Sequence, residues 1–145
     1  MSARAEEEVP RAPGDRELRA LLGGSRTIAV VGLSSKPWRD SYGVARYLQK
    51  AGYRIIPVNP KEHEVLEEPA YPSLLDVPEP VDLVDVFRRA EQTPEIARQA
   101  VQIGAKALWL QLGIISDEAA RIAEAGGLSV IMGLCLMVEH DRLRT

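Results

Sequence analysis

The chain has 145 residues, with 18 Lys+Arg against 21 Asp+Glu for a formal net charge of −3, and it is 46% hydrophobic and 27% charged. That balance belongs to a folded globular chain, long enough for one domain with a substantial core. It excludes a non-specific polyanion binder held by bulk positive charge, and one cysteine with two histidines excludes an internal disulfide and a structural zinc site.

Residues 1–13 combine Glu6-Glu7-Glu8 with Pro10 and Pro13, show no apolar period, and read as a mobile tail ahead of a single domain over 14–145. The first ten residues lack an apolar signal core. The uncharged stretch 125–138, broken by three glycines, is too short to span a bilayer. The expectation is a cytoplasmic protein with no membrane or nucleic-acid partner.

Asp15 can cap a short helix with Leu18, Leu21 and Leu22 on one face, stopped by Gly23-Gly24. Residues 27–31, Thr-Ile-Ala-Val-Val, form a continuous β-prone run that suits a central parallel strand ending at Gly32. A loop then leads to a helix with Val44, Tyr47, Leu48 and Ala51 at helical spacing and Gly52 just past its end. Residues 53–58 are the second strand, where Pro57 is expected to weaken pairing near the end. Four prolines over 61–80 predict an irregular connection with one turn of helix.

The third strand is expected over 81–87. Thr93-Pro94 opens a helix as cap and first residue, and Gly104 closes it. A fourth strand at 107–110, a helix from Ser116 to Gly126-Gly127, a fifth strand at 128–132 and a last helix from Leu134 complete the pattern. This alternation is that of an α/β, Rossmann-like domain. The expectation is a five-stranded parallel sheet in the order 3-2-1-4-5 with helices on both faces.

Ligands of such sheets sit outside the carboxyl ends of the strands. Here those ends are rich in glycine, hydroxyls, amides and arginine, which suits an anion. After the first strand, Gly32 supplies a turn. Ser34, Ser35 and Ser41 supply hydroxyls, Lys36 or Arg39 supplies charge, and Tyr42-Gly43 opens the following helix. The loop is neither GxGxxG nor GxxxxGK[ST]. At the second strand's end stand Asn59 and Pro60, with no carboxylate to hold a ribose as a nicotinamide site requires. Phe87, Arg88 and Arg89 end the third strand, Gln111 to Gly113 follow the fourth, and Cys135 follows the fifth. Trp109 and Phe87 read as core or as a platform for a base.

Taken together, Val30-Val31-Gly32-Leu33-Ser34, Ser41-Tyr42-Gly43-Val44, Pro57-Val58-Asn59-Pro60, residues 82–89, Trp109-Leu110-Gln111-Leu112-Gly113 and residues 133–139 carry a likeness. From about Thr27 to His140 the chain resembles the small stand-alone CoA-binding proteins. Those share a Rossmann-like domain with the N-terminal part of the succinyl-CoA synthetase α-subunit. The resemblance implies coenzyme A as ligand, with its ADP portion along the Gly32 loop and about four negative charges to be met.

The synthetases work through a phosphorylated histidine in a further domain, to which nothing here corresponds. His63 and His140 lie outside any glycine-rich catalytic loop. Glu139-His140-Asp141 is a solvated helix end rather than a dyad. The reading is therefore a binding module for coenzyme A or an acyl-CoA with no catalytic residue and no metal. The alternatives are a nicotinamide-dependent oxidoreductase or a thioester-handling enzyme. Cys135, near a predicted helix start, stands open between a thiol that exchanges with that of coenzyme A and a small core residue.

Overall fold

Aliphatic runs without a polar face become the central strands. The computed structural model describes residues 10–144. It begins with α1 (Asp15–Gly24), β1 (Thr27–Val31), α2 (Asp40–Lys50) and β2 (Arg54–Val58). A small antiparallel hairpin, β3 (Glu64–Val65) and β4 (Glu68–Pro69), and a 3-10 turn at Leu74–Asp76 fill the irregular connection. Then come β5 (Leu83–Val86), a 3-10 turn at Ala90–Gln92, α3 (Thr93–Gln102), β6 (Ala107–Leu110), α4 (Asp117–Ala125), β7 (Ser129–Met132) and α5 (Leu136–Leu143). None of the described helices is long and apolar enough to cross a membrane.

The main sheet is parallel throughout, in the order β2-β1-β5-β6-β7. Its five strands are the five predicted ones, and the Rossmann-like α/β class holds. The third predicted strand, however, lies directly against β1, through pairs such as Val31 with Val86. The place outboard of β2 is held only by one parallel bridge from Tyr71 to Val58. With that bridge counted as the outer position, the order reads 3-2-1-4-5-6, so the expected 3-2-1-4-5 run is present, but no full strand forms at its outer place.

Side chains alternate between two layers, as strand geometry requires. On one face Ile28, Val30, Ile55, Leu83, Trp109 and Ile131 pack under α1, α2 and α5 through Leu18, Leu22, Val44, Leu48, Leu136 and Leu143. On the other, Ala29, Val31, Ile56, Val84, Leu108 and Val130 meet the small faces of α3 and α4, Ala97, Ala100, Ala119, Ala120 and Ala123. Trp109 is fully buried and satisfies its one donor by giving its indole N–H to the Leu134 carbonyl at 2.8 Å. It is a core residue.

Pro57 does not weaken the ladder. Regular pairing of β1 with β2 runs through Val31 and Val58. The Pro57 carbonyl accepts from Tyr71 N on the outer side, so the missing N–H also points to the sheet edge, where a strand proline belongs. Two cap assignments also shift. Asp15 is the first residue of α1, after Gly14, and pairs with Arg142 of α5 at 2.9 Å. Thr93 lies inside α3 after Gln92, its hydroxyl donating to the Ala90 carbonyl. Ser116 does cap α4, accepting from Ala119 N at 3.1 Å. Of the predicted tail, residues 1–9 lie outside the described residues. Arg11 exchanges two backbone hydrogen bonds with Met132 on the edge of β7 and pairs with Glu124, so the segment from Pro10 belongs to the folded domain.

At the amino ends of the strands, Asp82 accepts from the backbone N–H of Arg26 and Thr27 and faces Lys106 at 3.3 Å. Partial burial alone would raise its pKa, but these contacts outweigh burial and hold the carboxyl below its usual range. Asp85, three residues on and within β5, has the opposite setting. It is fully buried between Val30 and Trp109 in register, and neither carboxyl oxygen has a partner among the described residues. Burial pushes its carboxyl well above the usual range and favours the neutral acid.

Candidate functional site

Gly32 leaves β1 with φ +88°, donating its N–H to the Val58 carbonyl at 2.8 Å. A β-carbon there would lie 2.9 Å from the Phe87 carbonyl oxygen and 3.2 Å from Arg88 Nε, so both the conformation and the space demand glycine. Leu33 is fully buried and pins the loop from below. Beyond it the chain is cross-linked by its own polar groups. Ser41 Oγ accepts from Ser34 N at 3.1 Å, Ser34 Oγ accepts from Lys36 N at 3.1 Å, and Asn59 Nδ2 donates to the Leu33 carbonyl at 3.1 Å. Both serine hydroxyls keep their own proton to donate. The first turn of α2 therefore begins inside a braced loop, with no side chain capping it.

Around this loop lies a polar cleft of about 680 Å³, lined by Gly32, Ser34, Ser35, Lys36, Arg39, Asp40, Ser41, Asn59, Lys61, Glu62, Phe87 and Arg88. Four cationic side chains, Lys36, Arg39, Lys61 and Arg88, face two carboxylates. Among the described residues none of those four forms an ion pair. Glu62 is engaged with the loop, accepting from Ser35 N at 2.8 Å. Uncommitted cations, free hydroxyl protons and a helix N-terminus converging on one cleft are the means by which proteins hold phosphate groups.

A second lobe of about 570 Å³ lies beside the first, and Arg39, Asp40 and Phe87 line both. It is apolar, with walls of Pro37, Trp38, Gly43, Val44, Leu112, Ile114, Cys135, Met137 and Val138. Gln111 joins it from the end of β6, and its Oε1 accepts from Leu136 N at 3.1 Å, which ties the β6 end to the start of α5. Cys135 is half-buried, a free thiol at the residue preceding α5.

Of the residues singled out from sequence, Gly32, Ser34, Ser35, Lys36, Arg39, Ser41, Asn59, Phe87 and Arg88 meet in the polar lobe, and Gly43, Gln111 and Cys135 in the apolar one. Four lie elsewhere. Tyr42 packs against the core, Pro60 lines a neighbouring cavity with Pro72 and Gln92, Gly113 makes an exposed turn with φ +82°, and the exposed Arg89 faces Glu91 at 4.0 Å. Sequence reasoning passed over Asp40, Lys61, Glu62 and the apolar wall. Trp38 beside Pro37, a large aromatic in a polar loop, was the available signal. His140 lines neither lobe and is hydrogen-bonded through Nδ1 to the Tyr47 hydroxyl at 2.9 Å. Glu139 pairs with Arg142 at 2.8 Å instead of facing His140, so residues 139–141 form no dyad.

Residues 26–141 match the family described as "CoA binding domain". An uncharacterised Bacillus subtilis protein, YneT, is 43% identical over 128 residues, covering 88% of this chain and 95% of that protein. An ADP-forming acetate–CoA ligase (II) of Archaeoglobus fulgidus is 31% identical over 101 residues, but this chain matches only 15% of that enzyme's length. Among solved structures, a hypothetical protein from Pyrococcus horikoshii superposes with a TM-score of 0.89 at 40% identity, covering 94% of this chain and 98% of that one. A dinucleotide-forming acetyl-coenzyme A synthetase from Ca. Korarchaeum cryptofilum gives a TM-score of 0.69 at 26% identity, with 78% of this chain covering 27% of that one.

Proposed function

Because the chain belongs to the CoA-binding domain family, we propose that its two-lobed cleft binds coenzyme A as a module with no catalytic residue of its own. In this reading the pyrophosphate and the ribose phosphate lie in the polar lobe, against the Gly32 turn and the start of α2. The pantetheine arm runs past Phe87 toward Cys135. The observation that carries it is the cluster of four cations without ion-pair partners among the described residues, Lys36, Arg39, Lys61 and Arg88, around Ser34 and Ser41. A ligand with about four negative charges is the matching chemistry.

A nicotinamide dinucleotide draws less support. At the end of β2, where such a site places a ribose-binding carboxylate, stands Asn59. Its amide is spent on the Leu33 carbonyl and the Lys61 N–H, the latter at 3.0 Å. A thioester-handling reading draws less support too, since His140 pairs with the Tyr47 hydroxyl and does not line the lobe that holds Cys135.

The reading is tested by the variants Arg88→Ala and Ser34→Ala, checked by circular dichroism to be folded. Each is expected to weaken coenzyme A binding about tenfold or more, the scale of one lost charge-assisted contact. Unchanged affinity in both would overturn the placement of the phosphates.

A further inference from the structure

We infer that the preferred ligand is an acyl-CoA whose acyl group is short and uncharged, with that group seated in the apolar lobe; this rests on the coenzyme A reading above. The large hydrophobic side chains exposed among the described residues are Trp38 at 76%, Leu112 at 71%, Val138 at 53% and Leu75. The first three all line the apolar lobe. Large apolar side chains gathered around one concavity mark a surface that something apolar covers. The lobe adjoins the polar cleft, with Arg39, Asp40 and Phe87 lining both, so its natural occupant is the far end of the molecule whose phosphates fill that cleft.

A free thiol offers this wall almost no apolar area, whereas each buried methylene is worth about a fourfold gain in affinity. Beyond the two groups shared with the polar cleft, the lobe contains no charged side chain. A carboxylated acyl group would therefore be desolvated without a cation of its own. The arrangement selects butyryl-like over malonyl-like ligands.

The test is a set of titrations with coenzyme A, acetyl-CoA, butyryl-CoA and malonyl-CoA, read by calorimetry and by the fluorescence of Trp38, with Trp38→Phe as the control for the optical signal. The expected result is butyryl-CoA about tenfold tighter than coenzyme A, acetyl-CoA between them, and malonyl-CoA no tighter than coenzyme A. In Val138→Asp and Leu112→Asp, both at exposed positions, the ratio of butyryl-CoA to coenzyme A affinity should fall toward one. Equal affinities for coenzyme A and butyryl-CoA in the wild type would overturn this inference and leave the coenzyme A reading standing. Failure of all four ligands to bind would overturn both.

Discussion

Gly32 and Phe87 stand so close that a β-carbon on the glycine would lie 2.9 Å from the phenylalanine's carbonyl oxygen. The contact joins the end of β1 to the end of β5 and sets the floor of the polar cleft, where Arg88 follows Phe87 directly. Gly32→Ala must therefore distort either the φ +88° turn or the β5 end. Its expected cost is about 1–3 kcal/mol of stability, seen as a lower Tm. Coenzyme A binding should weaken further than that of a surface variant of equal Tm. An alanine variant as stable as the wild type would contradict the described turn.

Cys135 faces the apolar lobe, half-buried at the start of α5. Alkylation by iodoacetamide should proceed in the free protein and slow several-fold when coenzyme A saturates it, measured by mass spectrometry over time. Labelling that ignores the ligand would place the arm elsewhere.

The five strands were legible because each is a short, mainly aliphatic run; the predicted bounds 27–31 and 107–110 are those of β1 and β6. The cation-lined rim was legible for a similar reason, since strand ends announce the edge of the sheet and Ser34, Arg39 and Arg88 all fall there. The side of β1 on which β5 lies was not. A crossover's handedness follows from local chirality, but both placements satisfy it, and only packing decides. The apolar lobe escaped because Trp38, Val44, Leu112 and Val138 come from four separate segments, and no local period joins them. Arg11 escaped because its place on β7 rests on backbone hydrogen bonds, which leave no trace in composition.

Asp85 gives a stability slope whose sign is fixed by its burial. Its folded-state pKa is raised well above 3.8, so the folded protein binds the proton more tightly than the unfolded chain does. The stabilisation is fully present below the unfolded value and is lost as pH rises through the folded one, by up to about 1.4 kcal/mol per pH unit within that window. Asp85→Asn removes the titration. Its Tm relative to wild type should rise between acid and neutral pH in thermal melts. Parallel profiles for the two proteins would show that the carboxyl does not titrate in the fold.

His140 acts in the opposite direction. Partial burial, then the nearby Arg144, lower its pKa from 6.5 against a weaker opposing pull from Asp141. A depressed pKa means that stability is present above about 6.5 and is lost as pH falls through the lowered value. Melts from pH 7 to pH 5 should therefore show a falling Tm that is flattened in His140→Gln. The Tyr47 contact places the affected joint between α2 and α5. An unchanged slope in the variant would assign the acid sensitivity to other groups.

In the proposed complex, four cations and a braced glycine turn hold the phosphates of coenzyme A. Calorimetric titration of ligand-stripped protein with coenzyme A, dephospho-coenzyme A, NAD and NADP tests it most directly. Micromolar-range binding of coenzyme A is expected, weakened about tenfold when the ribose phosphate is absent, with no comparable binding of either nicotinamide dinucleotide. Preference for NAD or NADP, or indifference to the ribose phosphate, would contradict it.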